Sequence, residues 1–189
     1  MRLVAYISCI MVGSFLALSL GCGSGRDPVE VVIPPVLCVD FVPSEAPASG
    51  KVVTRLRADS TCDLAIVEIV GTDIDGVFAV ATHIVYDRTA VVYSQMHTIG
   101  SALSRDGASL NVVEDDLAGE ITIGVARNAD DTVDLVGTQL LMTLLFLPFE
   151  QGTSDMAVQT PCLTDGEEEP QPLGDVSCSG GSFTVEPVS

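Results

Sequence analysis

The groups able to do chemistry in this 189-residue chain are two histidines, six cysteines and 26 acidic side chains. Acid–base or nucleophilic catalysis needs an imidazole beside a hydroxyl, a thiol or a carboxylate. His83 and His97 stand 14 residues apart, and neither lies near a Gly-x-Ser-x-Gly signature. His83 falls in an alternating apolar run and reads as a surface or interface residue. His97 lies near a turn and reads as solvent-exposed. Metal chemistry fares no better. Asn128, Asp130, Thr132 and Asp134 alternate oxygen ligands as an EF-hand loop begins. Val133 then occupies the sixth place, which needs Gly, and Gln139 the twelfth, which needs Glu. Glu167, Glu168 and Glu169, with Asp165 and Asp175, read as a solvated loop tip, weak ion binding being the alternative. Asp73 and Asp75, at the Gly76 turn, more simply cap loops than pair for catalysis. No Cys-x-x-Cys spacing exists for zinc. The expectation is no catalysis, no metal and no cofactor.

Cysteine spacing and charge say more. Cys38, Cys62, Cys162 and Cys178, the four beyond the first 22 residues, form the even set expected of two disulfides in an exported chain. Three connectivities are open to four cysteines. Proximity along the chain favours Cys38–Cys62 and Cys162–Cys178, the second clamping the loop 164–176 at a gain of ~3 kcal/mol. The formal charge is −18, one unit more negative once Arg2 leaves with the apolar N-terminal segment. So acidic a surface repels phosphate backbones and excludes nucleic acid as a partner. Aromatic residues are 5 % with no Trp. The core must therefore be built mainly from Val, Leu, Ile and Ala.

Met1-Arg2 gives a positive start, and 3–20 is apolar and uncharged. At ~1.5 Å per residue this is ~27 Å of helix, close to a bilayer span. Its end, Leu18-Ser19-Leu20-Gly21-Cys22-Gly23, resembles the lipobox of a bacterial lipoprotein. That resemblance implies a signal peptide over 1–21, cleavage after the small Gly21, and diacylglycerol on the Cys22 sulfur. Ser19 stands where such boxes favour Leu. An ordinary secretory signal or an uncleaved anchor is the alternative. Gly23, in place of Asp, implies the outer membrane of a Gram-negative envelope, where two or three acyl chains would hold the protein. Small residues, Asp27-Pro28 and Pro34-Pro35 make 22–35 a tether, and the domain is expected over 36–189.

The body reads as short strands at 37–42, 52–57, 65–70, 77–86, 90–93, 110–113, 120–125, 139–149, 156–159 and 182–186. Turn residues separate them, among them Gly71-Thr72-Asp73, Asp106-Gly107, Gly152-Thr153 and Gly180-Gly181. This pattern predicts an all-β sandwich or barrel. The run 140–147 is apolar on both parities, as a strand covered twice or a buried helix would be, and Pro148 at its end favours the strand. In 77–86, Phe78, Val80, Thr82, Ile84 and Tyr86 share one face. Ala79, Ala81 and His83 share the other.

The order of these pieces is similar to that of a cohesin module. Ala65–Val70 and the strand closed by Tyr86-Asp87 come first, then Val91-Val92-Tyr93. Gly119-Glu120-Ile121-Thr122-Ile123, the 140–146 run and a last Gly180-Gly181-Ser182-Phe183-Thr184-Val185 strand complete the order. The resemblance implies a jelly-roll β-sandwich of about nine strands, related to some carbohydrate-binding modules. It further implies protein recognition through an exposed sheet face, with a dockerin-like partner. By the same resemblance the outward positions Ala79, Ala81 and His83 are the partner-binding residues, unless another segment of the chain covers them. Polysaccharide binding is the alternative, but sugar platforms need exposed rings and few aromatics remain. A structural envelope role is the third.

Overall fold

Residues 35–188 are described by the computed structural model, except 106–108, 117, 129–130, 168 and 170. The expected signal peptide, Cys22, all of the tether but Pro35, and Asp130 and Glu168 lie outside the described residues. Alternation builds most of the strands. In Leu37–Pro43 (β1), Val39 and Phe41 are buried beside exposed Asp40 and Val42. Lys51–Leu56 (β2), Ala65–Val77 (β3), Ala79–Val85 (β4) and Val91–His97 (β5) come next along the chain. A single 3-10 turn, Ala102–Ser104, leads to Leu110–Asp115 (β6) and Glu120–Ala126 (β7). Val133–Pro148 (β8), Gly152–Val158 (β9), Leu163–Thr164 (β10), Ser177–Cys178 (β11) and Gly181–Pro187 (β12) complete the described elements.

These strands form two sheets. One is ordered β1-β12-β9-β4-β7-β6, with β10 also on β4, and the other β11-β2-β3-β8-β5. They pack face to face as a sandwich. Ten of the described strands have six residues or more, against about nine expected. The two-residue β10 and β11 are too short to carry a hydrophobic period. Between the sheets, Phe146 meets Phe183 at 4.7 Å and Tyr86 at 5.4 Å between ring centres, and Phe183 meets Phe41 at 4.8 Å. The apolar run in β8 is a strand buried on both faces from Leu141 to Phe146, lying between β3 and β5.

Two sequence expectations need correction. The run 77–86 is not one strand. Val77 ends β3 opposite Val133, whereas Ala79 opens β4 opposite Ala126 in the other sheet. The chain changes sheets at Phe78, whose N–H donates to the Thr164 carbonyl and whose carbonyl accepts from Arg127. Phe78 is consequently half-buried rather than a core residue. The alternation survives the crossing: Val80, Thr82, Ile84 and Tyr86 are buried, and Ala81, His83 and Val85 exposed. Secondly, Gly71 is no turn. It lies inside β3, where a Cβ would come within 2.5 Å of Leu135 Cδ1. The glycine is a packing requirement, not a chain reversal.

Candidate binding face

The seven-stranded sheet turns one bare face outward, built from β4, β7 and β6. Register aligns Ala79 with Ala126 and Leu110, Ala81 with Gly124 and Val112, and His83 with Thr122 and Glu114. Val85 stands opposite Glu120. Directly opposed residues project to the same side of a sheet, so all of these share the surface of Ala81 and His83. Leu110 is 63 % exposed, Val112 66 % and Val85 38 %. Gly124 leaves the middle of the face without a side chain; a Cβ there would make only ordinary contact with Val112, at 3.8 Å. All six residues of β6, the edge strand, are exposed.

His83 is the polar centre of this face. Its Nδ1 lies 2.6 Å from Glu120 Oε1 and 3.1 Å from Thr122 Oγ1. Both partners address the same ring nitrogen. A catalytic relay needs the carboxylate on one nitrogen and the nucleophile on the other, so this trio is a hydrogen-bonded surface cluster, not a relay.

Beside it, the strand edge opens. After β9 the chain stays on β4 only as far as Gln159, whose N–H donates to the His83 carbonyl at 2.9 Å. It returns at Cys162, whose carbonyl accepts from Ala81 N–H at 3.1 Å. Thr82 Oγ1 bonds the Gln159 carbonyl at 2.8 Å and satisfies that buried hydroxyl. Between these attachments Thr160 and Pro161 arch away, leaving a groove of about 360 Å³ lined by Ala81, His83, Thr122, Gln159, Thr160 and Pro161.

The other candidate residues have structural duties. Asp73, at φ 48°, accepts a hydrogen bond from Gly137 N–H, and Asp134 accepts one from Gly76 N–H. These reciprocal caps hold the irregular β3–β8 pairing. Asp73, Asp75 and Asp175 also border a second cleft of about 340 Å³. Asp165 caps its own loop through Glu167 and Gln171 N–H groups. Among the described residues no three His, Cys, Asp or Glu side chains converge as a metal site would require. His97 is half-buried at the end of β5, opposite Thr143, rather than exposed at a turn. Disulfides join Cys38 to Cys62 and Cys162 to Cys178.

The structure thus gathers Ala79, Ala81 and His83 on one surface and adds members the sequence did not nominate: Leu110, Val112, Glu120, Thr122 and Gln159. The alternation in 120–125 was a readable signal. Which strand it pairs with was not.

No family model matches the chain, and no curated protein matches it by sequence. Solved structures do. The solution structure of CaCohA2 from Clostridium acetobutylicum superimposes at a TM-score of 0.53 with 18 % identity, covering 69 % of this chain and 87 % of that one. The chain has a cohesin-like fold. A non-cellulosomal cohesin from the archaeon Archaeoglobus fulgidus matches at 0.48 and 13 % identity, over 76 % of this chain and 88 % of that one. A type II cohesin domain from the cellulosome of Acetivibrio cellulolyticus gives 0.49 and 14 %, over 80 % and 95 %. With the CaCohA2 match, the two-sheet architecture is a jelly-roll sandwich of the cohesin type.

Proposed function

We propose that this chain is a non-catalytic protein-recognition module, lipid-anchored through Cys22 to a bacterial outer membrane, that docks its partner on the outer face of β4, β7 and β6. The observation that carries the reading is the apolar row of exposed Ala81, half-buried Gly124 and exposed Val112, continued by Leu110 and Val85 and centred on His83. Exposed apolar patches rimmed by polar groups mark interaction surfaces, and flat small residues suit a dry protein contact. The cohesin resemblance supplies the partner class, a dockerin-like module. Polysaccharide binding draws no support from this face, because its outward positions on β4, β6 and β7 carry no aromatic ring for stacking.

The test is a set of charge insertions. Ala81→Glu and Val112→Glu place a carboxylate inside the face, while Val136→Glu, at a site 78 % exposed on β8, serves as control. Burying an unpaired charge in an interface costs several kcal/mol, whereas an exposed substitution stays within ~0.5 kcal/mol. The first two variants are expected to lose capture of a dockerin-bearing partner with an unchanged melting temperature, and the third to keep it. Capture surviving both face variants would move the contact elsewhere.

A further inference from the structure

Resting on the proposed docking face, we propose that the groove beside His83 is a slot for one basic side chain of the partner, arginine or lysine, whose cation pairs with Glu120. Three observations converge there. The first is charge. The outward positions of β4, β6 and β7 carry Glu114 and Glu120 but no Lys or Arg, on a chain of net charge −18. A complementary surface must therefore bring the positive charge.

The second is the open strand edge. In an antiparallel strand the N–H and C=O of one residue point to the same side. Ala81 N–H and His83 C=O are bonded to Cys162 and Gln159 on the groove side. Ala81 C=O and His83 N–H point the same way, and neither is paired with a backbone group of the described residues. The Ala81 carbonyl, the Gln159 amide and the hydroxyls of Thr122 and Thr160 supply acceptors along the groove. A guanidinium, which has only donors, can use these acceptors, the open His83 N–H being left to solvent.

The third is the placement of the anion. The Glu120 side chain is 42 % exposed and is held 2.6 Å from Nδ1 of His83, a residue that lines the groove. An incoming guanidinium can take its second oxygen or displace the imidazole, gaining a charge-assisted bond next to His83 in the wall of a groove of about 360 Å³. The groove thus offers several acceptors, lies beside a carboxylate held by His83, and borders Ala81 of the apolar row.

The test uses the full chain in detergent micelles, labelled with ¹⁵N, and acetyl-arginine amide as probe, with acetyl-citrulline amide as its neutral isostere. Saturable shifts of the Ala81, His83, Glu120 and Thr122 amides are expected with the arginine probe. Binding should be about tenfold weaker with the citrulline probe, and similarly weaker in Glu120→Gln, as loss of a charged hydrogen bond implies. Equal binding of citrulline would overturn the charge assignment in favour of a neutral slot. Shifts spread over the acidic loops and unaltered in Glu120→Gln would reduce the effect to general ion pairing and overturn the slot. If the slot fails while Ala81→Glu still abolishes partner capture, the docking face stands without it. If arginine binds as expected while Ala81→Glu has no effect on capture, the face reading fails instead.

Discussion

The disulfide between Cys162 and Cys178 ties the two sheets of the sandwich together. Cys162 immediately precedes β10, which pairs with β4 in the seven-stranded sheet, and Cys178 lies in β11, which pairs with β2 in the five-stranded one. The Cys162 carbonyl also accepts from Ala81 N–H, one of the two attachments that define the groove. The bond therefore stabilises the fold and positions the candidate site at once. Cys162→Ala with Cys178→Ala is expected to lower stability by ~3 kcal/mol, the entropy of a loop of about this size. Urea unfolding measures the loss, and the Ala81 and His83 amides should shift as the β10 strap loosens. Free thiols at all four positions of the exported protein would contradict the pairing.

Among the described glycines, Gly180 has the closest backbone neighbour. A Cβ there would sit 1.7 Å from the Met156 carbonyl oxygen and 2.7 Å from its carbon. The Gly180 carbonyl in turn accepts from Thr54 Oγ1 at 2.7 Å and Ser44 N–H at 2.9 Å. Gly180→Ala must push β9 away while keeping those bonds, and should cost ~3 kcal/mol or more. Gly174→Ala meets nothing within 4 Å and should stay within ~0.5 kcal/mol. Thermal melts of the two variants side by side check the contrast.

Tyr93 should titrate late. Burial, with Asp115 and Tyr86 adding to it, pushes its phenol up to about 12 from an ordinary 10.0. Burial raises Tyr86 as well, and its hydroxyl bonds Asp115 Oδ1 and Tyr93 N–H, each at 3.3 Å. A phenol whose folded value is raised contributes stability that is whole below the unfolded value and lost as pH climbs through the folded one. Stability should therefore hold to about pH 10 and fall as the pH rises toward 12. Near-ultraviolet absorbance titration resolves it. Ionisation of Tyr93 at its ordinary value would mean the inter-sheet space is wet.

Much of this could be read from the sequence because burial writes itself at period two. The parity of Val80, Thr82, Ile84 and Tyr86 foretold which side of β4 faces the core, and Ala81 and His83 are exposed accordingly. What period two cannot encode is adjacency. Val77 and Ala79 read as one strand because a crossing between sheets at Phe78 preserves alternation. Gly71 read as a turn because a glycine that makes room for Leu135 and one that reverses the chain look alike in isolation. Glu120 joins His83 only through the β4–β7 register, a pairing between segments more than thirty residues apart along the chain. The groove depends on two residues that leave β4 unpaired, and nothing in Thr160-Pro161 announces that.

The proposed membrane attachment depends on one residue, Cys22, whose sulfur would carry the diacylglycerol. The proposed lipobox places the small Gly21 before the cut and the thiol after it. A single acyl chain binds a membrane only marginally and reversibly, so firm anchoring needs the second or third chain that full processing adds at the same cysteine. Cys22→Ala removes the acceptor for all of them while leaving residues 35–188 untouched. The expected outcome is either a precursor that keeps its leader or a mature-size protein released into the soluble fraction, whereas wild type sediments with membranes at mature size. The folded domain should be unaffected, so the melting temperature of released protein is the control for a trivial loss of structure. A Cys22→Ala variant that still sediments with membranes at mature size would show that attachment runs through a bound partner or another segment. The proposed outer-membrane placement would then lose its basis, because it derives from Gly23 standing after a lipidated cysteine.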